Sequence, residues 1–213
     1  MEKLKLYLAD IEDKEDGLLR LSLVKHPATG CGWEVLSVGN KYVRVFAPII
    51  VSNKPIYRKD EHLGEYNLLF LPEVIKDIQK RTAIEHPRIK FDIEHNGKEV
   101  DGIVVVSSFI IDYSTDTLYS DYFGLPDGSW VMELLIPKNV YKVLDVKNNY
   151  TKIDVKNSHI KNNVKKTEKN MVNREIAGGS ASDDFFGISI SGIFTYNEVS
   201  LQEAIEIYNK IKE

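Results

Sequence analysis

The sequence holds a single cysteine, Cys31. A lone thiol excludes a disulfide framework and any zinc site built from cysteines. Nucleotide and metallopeptidase signatures are missing too. There is no G-x-G-x-x-G, no Walker lysine motif and no H-E-x-x-H, so neither a cofactor nor a metal is expected. No run approaches the roughly 18 apolar residues of a membrane span. The first residues, Met1-Glu-Lys-Leu-Lys-Leu-Tyr7, alternate charged and apolar side chains where a signal peptide would carry an apolar block. A soluble intracellular protein without a membrane partner is the expectation. A net charge of −4 argues against nucleic acid as the main partner.

What is present suits one compact fold. The chain has 213 residues, 43% of them hydrophobic, enough for one domain with a sizeable core. Its charge is unevenly placed. Between Lys147 and Lys169 lie seven lysines and five asparagines against only Asp154 and Glu168. Such a stretch reads as a solvated, flexible insertion, at about 147–184 in a single domain of 1–213. A basic loop that touches phosphate or an acidic surface is the alternative.

Strand patterns dominate. Alternation or apolar runs predict strands at 3–8, 18–24, 33–38, 42–51, 89–93, 102–111, 130–136 and 185–194, and 66–70 is a short apolar run. The segment 102–111 is nearly all apolar, so a central position is expected for it. Helices are predicted from Pro72 to about Ala83, from Pro137 through Leu144, and at the C-terminal end. There Ser200 and Glu203 form a capping box, and Leu201, Ala204, Ile205, Tyr208 and Ile211 share a face. Many short strands, about three helices and no βαβ alternation predict an α+β, mostly β fold, an antiparallel β-barrel or strongly bent sheet with helices around it.

Two local patterns could carry chemistry. In Phe91-Asp-Ile-Glu-His-Asn-Gly97, a histidine follows a strand and precedes a turn. His95 at a strand's mouth would suit a general base, although an ordinary surface histidine fits the same pattern. In Phe185-Phe-Gly-Ile-Ser-Ile-Ser-Gly-Ile-Phe194, alternation puts Gly187, Ser189 and Ser191 on one face. A rigidly held serine between glycines meets the needs of a nucleophile, and serines in plain structural strands are common as well.

Five segments in order give these patterns a context. They are Asp16-Gly-Leu-Leu-Arg-Leu-Ser-Leu-Val-Lys-His-Pro-Ala28, Ala47 to Asp60, Phe91 to Gly102, Gly124-Leu-Pro-Asp-Gly-Ser-Trp130, and Gly187-Ile-Ser-Ile-Ser-Gly-Ile-Phe194. Together they resemble the XkdF-like family of phage serine proteases, relatives of the prohead maturation proteases. The resemblance implies the herpesvirus maturation-protease fold, a β-barrel ringed by helices. It also implies a serine endopeptidase that cleaves scaffold and capsid proteins through an acyl-enzyme, with self-cleavage as a further option. Ser189 would be the nucleophile and His95 the base. Ser191 stands where the family usually has an acid.

The implied partners are the major capsid and scaffold proteins, with a second copy of the chain as a possible dimer mate. The implied place is the assembling procapsid in the host bacterial cytoplasm. A catalytically inactive structural or scaffolding component of the capsid is the alternative.

The third triad member stays open. The family's S-L-V string falls here at Ser22-Leu-Val24, and the position matching its acid is Arg20, which cannot act as a base. Asp16, His26, Asp112 and Glu198 are the candidates, and a Ser–His dyad is a further option. Arg58 is a possible charged helper. The family also lacks the long segment before the serine strand, which here could serve as an autolysis or gating loop, or as a plain disordered insertion.

Overall fold

The computed structural model describes residues 5–12, 16–85, 88–115, 124–146 and 186–212. The insertion expected at 147–184 lies outside the described residues. In chain order the strands are β1 Lys5–Asp10, β2 Gly17–Lys25, β3 Glu34–Val38, β4 Tyr42–Ile50, β5 Ile56–Asp60 and β6 Gly64–Leu69. Then come α1 Pro72–Glu85, β7 Phe91–Ile93, β8 Val104–Ile110, β9 Trp130–Pro137 and α2 Lys138–Val146. β10 Phe186–Ile193, β11 Thr195–Glu198 and α3 Leu201–Lys212 complete the order.

The mostly β, α+β class is as expected. A closed barrel is not what the hydrogen bonds build. Among the described residues the strands form three sheets, ordered β11-β1-β6-β5, β10-β2-β7 and β3-β4-β9-β8. Nor is the pairing wholly antiparallel, since β1 with β6 and β2 with β7 run parallel. Long excursions through other sheets separate the members of both pairs, which is the condition parallel strands need. The chain itself stitches the sheets together. β10 runs on into β11, passing from the three-stranded sheet to a four-stranded one. Trp33, just before β3, donates its N–H to Phe186 O at 2.8 Å and stacks on the Phe186 ring at 5.8 Å.

Alternation explains the core. Leu21, Leu23 and Ile188 are wholly buried from the three-stranded sheet. They meet Val45, Ala47, Trp130, Met132, Leu134 and Ile136 from β4 and β9. Helix α1 adds Ile75 and Ile78 from one face, with Pro72 opening it and Ile75 N–H bonded to Leu71 O at 3.0 Å. The Leu-Pro-Asp-Gly-Ser-Trp segment is a docking turn. Gly128, at φ 78°, lies against Pro72 where any Cβ would clash, and buried Ser129 accepts Ser52 N–H at 3.1 Å. That motif serves the fold.

Two sequence expectations are corrected. Among the described residues β8 is an edge strand, not a central one: it pairs there only with β9, and Val104 and Val106 are 46% and 48% exposed. Apolar content reports a liking for strand, not the number of neighbours. In α3 the capping box forms, with Glu203 N–H on Ser200 Oγ and Ser200 N–H on Glu203 Oε2. Ile205, however, is 53% exposed, whereas Ile207 is half-buried and lines a hollow together with Leu8 and Val199; the side chains of Leu201, Tyr208 and Ile211 lie outside the described residues.

Candidate functional site

The three-stranded sheet has two chemically different faces. Leu21, Leu23, Phe91 and Ile188 point into the core. The opposite face carries a polar row, because β10 pairs Ser189 with Ser22 and β2 pairs Ser22 with Asp92. Directly opposed residues project from the same side of a sheet. The next row holds Ser191 opposite Arg20. Ser22, Asp92 and Ser189 are all buried, at 0%, 2% and 7% exposure. Burial of so many polar groups is costly unless they satisfy one another.

His95 comes to this face through a strained turn. Glu94 and His95 both adopt left-handed backbone, at φ 51° and 54°, and Gly97 follows at φ 75°. Each non-glycine residue so held costs about 1–3 kcal/mol. The turn is fixed at both ends. Glu94 N–H donates to Leu23 O at 3.0 Å, Lys25 N–H to Glu94 Oε1 at 2.8 Å, and Gly97 N–H to Asp92 Oδ2 at 3.1 Å. The imidazole is thereby folded back over β2 and β10. Its Nδ1 lies 2.9 Å from Ser22 Oγ and 3.3 Å from Ser191 Oγ.

Asp92 supplies the charge beneath. Its Oδ2 accepts from Arg20 Nη1 at 3.2 Å as well as from Gly97 N–H. Its Oδ1 is buried and makes no hydrogen bond. Burial pushes the Asp92 pKa up, but the neighbouring Ser22 hydroxyl, the Gly97 N–H and the Arg20 guanidinium together bring it below the ordinary carboxylate value. Ser22 thus favours the ionised form from the next strand without closing a bond to Oδ1.

Ser189 has a different neighbour. The loop after β2 crosses above it, and Ala28 N–H lies 3.3 Å from Ser189 Oγ. Gly187 lets that loop approach, since it lies beneath Pro27 and Cys31 O. The predicted pair is therefore brought to one sheet face, with Ser191 and Ser22, rather than Ser189, in contact with His95.

The proposed third members lie elsewhere in the hydrogen-bond network. Asp16 accepts from Glu12 N–H and Thr195 Oγ1, tying the turn before β2 to β11. His26 is exposed on its loop at φ 63°. Asp112 closes an exposed turn through Ser114, whose hydroxyl and N–H hold its pKa down. Glu198 bonds Lys5 and Tyr7 in another sheet. Arg58 lies on β5 opposite Tyr66, also in that sheet. Sequence reasoning missed Ser22 and Asp92 as site residues. Only strand register reveals them, because Asp92 reads along the chain as one more alternating strand residue. Among the described residues no group of three or more His, Cys, Asp or Glu could hold a metal, and no helix is long and apolar enough to cross a membrane.

No protein-family model matches the sequence, and neither a curated protein nor a solved structure matches the chain.

Proposed function

We propose that this protein is a serine endopeptidase whose general base is His95. The observation that carries the reading is the contact of His95 Nδ1 with two serine hydroxyls, made by a histidine held in strained backbone over a buried carboxylate. Strain concentrated on a polar, serine-lined face is characteristic of sites that do chemistry.

In this reading Ser189 Oγ attacks the scissile carbonyl and His95 takes its proton, then returns it to the leaving amine. On the same reading Ala28 N–H, 3.3 Å from Ser189 Oγ, is the candidate donor to the tetrahedral oxygen. The transfer requires His95 Nε2 to come within hydrogen-bond reach of Ser189 Oγ. A specific observation favours Ser191 as the nucleophile instead, because it is the less buried of the two serines that His95 already touches.

The resemblance to phage maturation proteases sets the proposed substrates: major capsid and scaffold proteins, cleaved within procapsids in the bacterial host, with the herpesvirus-protease fold as the proposed ancestry. The test is co-expression with those proteins, reading intact masses for wild type, Ser189→Ala and Ser191→Ala. Defined truncations lost only in Ser189→Ala support the first assignment, and loss only in Ser191→Ala transfers the role. Intact proteins throughout, with the chain bound to shells, replace the enzyme by a structural capsid component.

A further inference from the structure

We infer that Asp92 and Ser22 form an orienting relay that fixes the tautomer of His95, with the Ser22 hydroxyl as its movable link. The inference rests on the reading of His95 as the base. A serine hydroxyl has one proton and can donate it once. Ser22 Oγ lies 2.9 Å from His95 Nδ1, and Ser22 is the cross-strand neighbour of Asp92, whose buried Oδ1 makes no hydrogen bond. If Ser22 donates to Nδ1, that nitrogen is occupied as an acceptor and Oδ1 is left bare. When the Ser22 side chain shifts to bring Oγ within hydrogen-bond reach of Oδ1, the hydroxyl donates there, its oxygen accepts from Nδ1–H, and every group on the row is satisfied.

The second arrangement is the one a base needs. With the proton on Nδ1, Ser22 and Ser191 both become acceptors for it, and Nε2 is left unprotonated for the nucleophile. The nucleophile's proton then passes to Nε2, Nδ1–H stays in place, and the imidazolium faces the Asp92 carboxylate through one hydroxyl dipole. No proton travels along the relay. Ser22 and Asp92 are positioning residues.

The surrounding charges leave this role to Asp92. On β2 the neighbours are Arg20, which engages Oδ2, and Lys25. Glu94 in the same turn has one carboxylate oxygen on Lys25 N–H, and Lys98 follows beyond Gly97. The stretch of β10 over Ile190–Ile193 brings no charge.

Nitrogen-15 NMR of the full chain, with histidine labelled and the His95 signal assigned by His95→Gln, tests the relay without any substrate. The expected result is neutral His95 in the Nδ1–H tautomer. Asp92→Asn should lower its proton affinity about tenfold. In a Ser22→Ala background the same change should have little further effect, and Ser22→Thr should restore the wild-type tautomer. A dominant Nε2–H tautomer in the wild type overturns the relay, and that reading needs no variant to fold. Equal effects of Asp92→Asn with and without Ser22 also overturn it. A protein with the Nδ1–H tautomer and no peptidase activity would leave the relay standing and remove the protease.

Discussion

Gly187 lies so close beneath Pro27 that a Cβ at position 187 would sit 2.5 Å from Pro27 Cγ and 2.9 Å from Cys31 O. This contact seats the loop that delivers Ala28 N–H to Ser189. Gly187→Ala should force the loop outward at a cost of about 1–3 kcal/mol. Thermal denaturation should show a fall of several degrees, and Ala28 amide exchange should speed up. Unchanged exchange would mean that the loop is not held by this contact.

His95→Asn separates strain from structure. Asparagine tolerates left-handed backbone better than most residues, so stability should stay within about 0.5 kcal/mol of wild type or rise. The proposed peptidase activity should fall by about a thousandfold or more. Urea unfolding beside the co-expression cleavage assay measures both. A variant that unfolds while activity tracks its folded fraction would make His95 a structural residue.

Asp92 gives the stability profile a direction. Its native pKa is depressed, so the ionised carboxylate stabilises the fold above the ordinary carboxylate range of about pH 4. That contribution disappears as pH falls through the lower native value. The melting-temperature gap between wild type and Asp92→Asn should therefore be widest near neutrality and narrow in acid. A gap constant with pH would show that packing, not charge, is what the substitution removes.

Trp130 offers a test remote from the site. It is 1% exposed, and its indole N–H donates to Ser108 Oγ at 2.9 Å. Ser108→Ala strands that buried donor and should cost about 1–3 kcal/mol, seen as a lower urea midpoint with an unchanged slope. Cleavage by the folded fraction should be unaffected.

Residues close in sequence made most elements legible. The apolar spacing of α1, the Ser200–Glu203 box and the alternation around Ser22 and Ser189 each record a local preference, and each segment folds as that preference directs. What was illegible is relational. Val104 and Val106 suit a strand, but nothing in them says that, among the described residues, β8 has a neighbour on one side only. Residues 195–198 form β11 because β1 is there to pair with them. Ser189 and His95 were visible from their settings. Asp92 and Ser22 matter through a parallel pairing across about 70 residues of chain, and no local pattern encodes that.

The continuation of β10 into β11 also has a consequence in time. Strands β2 and β7 can bring Ser22, Asp92 and His95 together, but Ser189, Ser191 and the far edge of the sheet arrive with β10, the last described strand but one. Closing that pairing joins positions more than 160 residues apart, among the slowest kinds of contact to form. Under the proposed function, a nascent chain therefore holds His95 and Asp92 long before it owns a nucleophile, and its own synthesis acts as a safety catch.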